Sequence, residues 1–200
     1  MNRSNLPAWL ALLLFCAAVI GFGADLVDYA QMRHPVALLG AHGVPHALAF
    51  NLLGFVLPGL LVAFAMLRLR RQLPAGSGWA ARIGAQLCLL SAIAFAAQGL
   101  VSLDAADLDA ASGRLHALAT MLWWLAFVPG GLLLAVGLRN EAGRRGLVWA
   151  SALVAIALLW FVASPWQLLP VAIAQRIAFL LWLVWAIVAA SVPARPKLRA

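Results

Sequence analysis

Few residues in this chain can do chemistry, and they are not scattered. The sequence holds four histidines, and two of them head the same phrase: HALAFNLLGFVLPGLLVAFAMLR begins at His46 and HALATMLWWLAFVPGGLLLAVGLR at His116. Asp25, Asp104 and Arg176 join them just inside the boundaries of apolar runs, and Arg114 stands shortly before His116. Three chemistries suit such a set. Arginine and protonatable histidine beside free helix N–H groups would hold a phosphate or carboxylate, with Asp25 and Asp104 orienting the bases or taking a proton. His46, His116 and Asp104 (or Asp25) could supply the three ligands a catalytic zinc wants, leaving a position for water. A histidine–aspartate pair also has suitable pKa values for acid–base catalysis or a proton relay. The metal pattern is weak, because there is no HExxH and Pro45 in HGVPH marks a helix start that leaves His42 outside. Ser102 and Ser112 lack the glycines of a serine nucleophile elbow.

The elements that must position these groups follow from composition. Apolar residues make up 66% of the chain and charged residues 10%, against roughly 45–50% and 25% in a soluble domain. A bilayer span needs about 20 mostly apolar residues, and six segments reach that length: about 7–27, 45–67, 82–103, 115–138, 146–164 and 171–192. What remains is short connections, so residues 1–200 read as one membrane domain. Hydrocarbon offers open backbone groups no partner, and long non-alternating apolar runs satisfy theirs only as helices. The expected fold class is all-α and polytopic, with six transmembrane helices.

Charge then orients the bundle. Arg3, Arg68, Arg70, Arg71, Arg82, Arg139, Arg144, Arg145, Arg195, Lys197 and Arg199 fall on one side of a six-span topology, and only Arg33, Arg114 and Arg176 on the other. The positive-inside rule makes the crowded side cytoplasmic, with both termini inside. The net charge of +8 is thus a topology signal and an attraction to anionic lipid headgroups, and nucleic acid is not an expected partner. The first apolar run exceeds the 7–15 residues of a signal-peptide core and is kept as a membrane helix. Cys16 and Cys88 lie mid-span, where thiols act as small apolar side chains.

The two phrases match beyond their first four letters. Each runs to a Pro-Gly pair, Pro58-Gly59 and Pro129-Gly130, and each reaches Leu-Arg ten residues after its proline. A weaker third copy, QRIAFLLWLVW, carries Arg176 and Trp185. The chain therefore reads as three helical hairpins. Each proline should kink its helix by freeing the carbonyl of Gly54 or Leu125, and glycines 54, 59, 84, 99, 130, 131 and 137 permit close helix approach. This arrangement sends all four histidines, five of the six acids (Asp25, Asp28, Asp104, Asp107 and Asp109) and Arg33, Arg114 and Arg176 to the extracytoplasmic side. Trp9, Trp79, Trp149 and Trp166 suit an interfacial belt. Trp123 and Trp124 lie about two turns, or ~11 Å, below His116, an aromatic floor that fits a lipid, quinone or other amphipathic ligand.

The phrases HPVALLGAHGVPHALAFNLLGFVLPGLL, AAQGLVSLDAADLD, GRLHALATMLWW and AQRIAFLLWLVW resemble an uncharacterised bacterial family of six-helix integral membrane proteins, domain of unknown function 998. The resemblance covers nearly the whole chain. It implies six spans and draws attention to Asp104, His116 and Arg176, and it implies no activity. Membrane hydrolases related to alkaline ceramidases use seven helices and a late histidine pair, and nothing after His116 here is a histidine. The leading expectation is a multi-pass protein of the bacterial inner membrane that binds a lipid headgroup or small amphipathic anion at its extracytoplasmic mouth. His46, His116, Arg176, Arg114, Trp123 and Trp124 would contact the ligand, and Asp25 and Asp104 would set their charge. The rival is a lipid hydrolase or transferase on the same site, metal-dependent (zinc) or not, with Asp25, His46, Asp104 and His116 as its catalytic candidates. A proton-coupled transporter comes third, since only Asn51, Gln86, Ser91, Gln98, Thr120 and Ser151 mark a path across. Haem between His46 and His116 is disfavoured, membrane lipids are the expected partners, and a homo-oligomer is compatible with the sequence.

Overall fold

A computed structural model describes residues 5–74, 76–104, 107, 110–163 and 169–192. Arg3, Asp109, Trp166, Arg195, Lys197 and Arg199 lie outside the described residues. Six helices are long and apolar enough to cross a membrane. They are α1 (Leu6–Asp25), α2 (Ala47–Arg71), α3 (Trp79–Gln98), α4 (Ala111–Leu138), α5 (Arg145–Ala163) and α6 (Val171–Ala190). The described residues are otherwise turns, coil and one short 3-10 helix, Val36–Gly40, before α2. The third helix ends sooner than its apolar run suggests, because the chain turns at Gly99 and leaves helical geometry before Ser102.

Consecutive helices pack side by side, and α6 returns to both α1 and α2. Small residues set the closest approaches. A side chain on Gly84 would strike the α4 backbone at Gly130 and Leu134, one on Gly137 would strike Ala81 of α3, and one on Gly59 would strike Ala96. The α3–α4 pair shares the most extensive contact in the bundle. Gly54 differs from these, since the nearest side chain to it is Phe50 of its own helix. Inside the ring of helices the packing is aromatic. Phe15 of α1, Phe55 of α2, Phe95 of α3, Trp123 of α4, and Phe179 and Trp182 of α6 are all buried and touch in one cluster, with centroids 4.8–6.1 Å apart. Leu13, Ile20, Leu60, Phe64, Leu118, Leu153 and Ile156 instead point outward. That apolar exterior suits hydrocarbon and would be a liability in water.

The two matching prolines have different effects. Ahead of Pro58 the helix is wound as a π-helix over Asn51–Val56, and the Leu57 N–H reaches back five residues to the Leu52 carbonyl. A wider turn relieves the crowding between a proline ring and the carbonyl four residues back. Pro129 sits inside α4 with α-helix on both sides. At one end of the bundle Asn5 donates to Ser191 Oγ at 2.7 Å and Arg144 to the Gln72 carbonyl at 2.7 Å. The N-terminal start of α1, the C-terminal end of α6 and the α2–α3 and α4–α5 turns therefore share this basic end. At the other end the His42 N–H reaches the Leu103 carbonyl at 2.8 Å, and the Val36 N–H reaches Gln175 Oε1 at 3.1 Å.

Candidate functional site

The end opposite the basic one is organised around Arg176, one turn into α6. The chain leaves α1 at Asp25 and turns sharply at Asp28, whose φ of 62° lies in the left-handed region that Asp tolerates better than most side chains. That turn lays Tyr29–Val36 as a strap across the start of α6. The Arg176 guanidinium holds the strap with four of its five hydrogen bonds and its own helix with the fifth. Nε and Nη2 donate to Gln31 Oε1 at 3.1 and 2.8 Å, Nη2 also to the Tyr29 hydroxyl at 2.6 Å, and Nη1 to the carbonyls of His34 and Ala172 at 3.0 and 2.8 Å. The strap is braced in turn: Gln31 Nε2 donates to the Val19 carbonyl at 2.8 Å, the Tyr29 hydroxyl to that of Pro35 at 3.3 Å, and the Ala30 N–H to His34 Nδ1 at 3.0 Å.

Those five bonds match the five N–H donors an arginine has, and every acceptor is electrically neutral. Hydrogen bonding is satisfied and the positive charge is not balanced by these partners. A partly buried charge at a membrane boundary is costly until an opposite charge approaches. Beside it lies a cavity of about 400 Å³, lined by Val19, Ile20, Gly23, Ala24, Gln31 and Arg176. Burial pushes the Tyr29 phenol up from its ordinary pKa, and the neighbouring guanidinium opposes that shift in part. The hydroxyl is therefore neutral at physiological pH and adds no counter-charge.

His116 is placed quite differently. It is 7% exposed, and its Nδ1 lies 3.1 Å from the Gln98 carbonyl and 2.9 Å from that of Val101. Two carbonyl neighbours require a proton on Nδ1, so the ring closes off the C-terminal end of α3, where helix carbonyls lack partners. Thr120 Oγ1, one turn on, lies 3.1 Å from Gln98 Oε1 and 3.0 Å from the His116 carbonyl. His46 is the N-cap of α2, in left-handed conformation with φ of 60°. Its Nε2 is 3.9 Å from Asp25 Oδ2, and the two side chains are 66% and 67% exposed. Exposed pairs of this kind contribute at most about 1 kcal/mol.

The phrase-heading histidines thus do not share one pocket. Between them stand three rings in series: His46 against Phe22, Phe22 against Phe50, Phe50 against Phe55, and Phe55 against His116. Asp104 is partly buried and accepts the Asp107 N–H at 3.2 Å, a local turn. Arg114 is exposed near the start of α4. Among the described residues no three His, Cys, Asp or Glu side chains come together as a metal would require, so His46, His116 and Asp104 are not assembled as ligands. Trp123 belongs to the central aromatic cluster and also lines a cavity of about 170 Å³ with Thr120, Phe161, Gln175 and Phe179, closed on one side by Pro35 of the strap. Trp124 packs only partly buried against the core.

Three contributors escaped sequence reading: Tyr29, Gln31 and Gln175. A signal existed, since Tyr29 is the sole tyrosine and Gln175-Arg176 heads the third copy of the repeated phrase. Asn51 also does more than mark a path. Buried in the π turn, it donates to the Gly40 carbonyl at 2.9 Å and to Ser102 Oγ at 3.0 Å, tying the α1–α2 and α3–α4 connections to α2.

A family model described as "Protein of unknown function (DUF998)" matches residues 8–192. The chain belongs to that family. No curated protein and no solved structure matches it significantly.

Proposed function

We propose that this member of the family binds an anionic amphiphile, a lipid headgroup or a small amphipathic anion, against Arg176 at the extracytoplasmic mouth of the bundle. One observation carries the reading. Arg176 is a partly buried cation whose five hydrogen bonds all go to neutral groups, beside a cavity of about 400 Å³ with apolar walls from α1. The anionic group would lie against the guanidinium and Gln31, and the apolar portion along Val19, Ile20 and Gly23. His46 and Asp25, on the rim just past Ala24, would bias which headgroups approach. The same exposed pair supports the rival reading of a hydrolase or transferase, because an imidazole beside a carboxylate is the minimum for general-base catalysis. The bacterial inner membrane, with the basic end cytoplasmic, is the location that goes with both readings, and the three-hairpin repeat is the ancestry that would make His46, His116 and Arg176 equivalent helix starts.

The test is native mass spectrometry of the purified chain in mild detergent, beside Arg176→Gln, Arg176→Lys and Tyr29→Phe. Wild type should retain an anionic adduct that Arg176→Gln loses and Arg176→Lys keeps in part. Tyr29→Phe loosens the strap without changing charge and should keep the adduct. If it loses the adduct as fully as Arg176→Gln, the strap's geometry and not the cation is what matters, and the proposal fails.

A further inference from the structure

We infer that the groove between the basic ends of α2 and α3 is a seat for the phosphate of an anionic glycerophospholipid. The groove has a volume of about 510 Å³ and is lined by Arg70, Leu73, Pro74, Arg82, Ile83 and Gln86. Its two cations come from different helices. Arg70 lies in the last turn of α2, where the helix dipole favours positive charge, and Arg82 lies in the first turn of α3. Both side chains are exposed where they line the groove. Basic pockets between membrane helices are where anionic headgroups lodge.

The face of α3 beneath Arg82 reads as a depth scale. Trp79, Arg82, Ile83 and Gln86 recur at helical spacing and share one side. Trp79 is 69% exposed, as an indole at headgroup level should be. Arg82 follows about 4.5 Å deeper and Gln86 about 6 Å deeper still, from the rise per residue. An exposed glutamine among outward-facing Ile83 and Leu90 is out of place in bare hydrocarbon. At that depth a bound lipid presents its ester carbonyls, which an amide N–H can reach. Phosphate at the arginines, glycerol esters at Gln86 and acyl chains along Ile83 account for the whole stripe. Neither Arg176 nor its cavity enters this argument, so the two sites stand or fall separately.

The test uses the full chain in mild detergent with phosphatidylglycerol and phosphatidylcholine of matched acyl chains, read by native mass spectrometry. Three proteins are compared with wild type: Arg70→Gln/Arg82→Gln, Gln86→Leu, and Arg71→Gln/Arg139→Gln, which removes the same charge from exposed positions outside the groove. Wild type should prefer phosphatidylglycerol. The groove double variant should lose that preference by up to about 30-fold, about fivefold for each arginine, and Gln86→Leu should weaken both lipids. The charge-matched control should behave as wild type. The proposal is overturned if wild type shows no preference, or if the control loses as much as the groove variant, which would mean a diffuse field. It is equally overturned if millimolar inorganic phosphate displaces the lipid, which would mean that phosphate alone is read. Thermal unfolding of each variant checks its fold; if the double variant does not fold, Gln86→Leu against the control decides.

Discussion

Replacing His116 tests most directly what that residue is for. Its Nδ1 sits within 3.1 Å of two carbonyls at the end of α3, and its ring packs 6.3 Å from Phe55. A hydrogen bond inside a membrane protein contributes on average about 0.6 kcal/mol and up to about 1.7. Stranding the buried carbonyls it served adds about 1–3 kcal/mol. Alanine, which also removes the ring from the core, should therefore cost about 2–4 kcal/mol of stability. Leucine restores bulk without a donor and should cost about 1–3 kcal/mol. The assay is equilibrium unfolding in mixed micelles by titration with dodecyl sulfate, followed by tryptophan fluorescence. If both variants unfold within about 0.5 kcal/mol of wild type, the range of inert surface changes, His116 is not a cap. A loss of bound ligand at unchanged stability would then return it to the binding role that its place in the sequence suggested.

Other consequences are as sharp. Because Tyr29 is the sole tyrosine, phenolate absorbance near 295 nm reports it alone. Its ionisation should lie above pH 10 in the folded protein and fall to the ordinary value on unfolding. The folded chain then holds a proton that the unfolded chain has released, so stability should decline as pH rises past about 10, and Tyr29→Phe should lessen that slope by one proton's share. A normal titration midpoint in the folded state would contradict its burial. Gly137→Val drives a side chain into the Ala81 backbone and should cost about 1–3 kcal/mol or more in the same micelle assay, whereas Gly21→Val, which meets open space, should be close to neutral. Asn51→Leu removes two buried bonds and should cost about 1–3 kcal/mol, with faster amide exchange over residues 36–40; unchanged exchange would show that Asn51 does not hold that loop.

The spans were legible because length and apolarity alone dictate them. Which groups gather at each end followed from counting crossings. The roles of the two matched histidines were not legible, and the reason is local. His46 takes a left-handed conformation, so helical geometry begins only at Ala47, two residues past Pro45, and His46 is left outside as the exposed cap. No proline precedes His116, so α4 extends back to Ala111 and carries His116 into its second turn. Identical letters thus stand at different registers relative to the helix start. The rotation of α4 that then turns His116 inward comes from the close contact of Gly130 and Gly137 with α3, a property of two helices together. Arg176 stood out in the sequence by its depth and rarity. Its partners were missed because the strap depends on a left-handed residue at Asp28, and polar loop letters give no hint of where they will land.

The strap has a consequence of its own. Gln31 forms part of the wall of one cavity and Pro35 part of the wall of the other, on two sides of the start of α6. Arg176 fastens this short segment at Tyr29, Gln31 and the His34 carbonyl. The two spaces therefore share one wall. A molecule that displaced the strap from one side would change the affinity of the other side, and linkage would make the effect equal in both directions. A small apolar compound in the inner space would then act as a volume control on the proposed binding of an anion at Arg176.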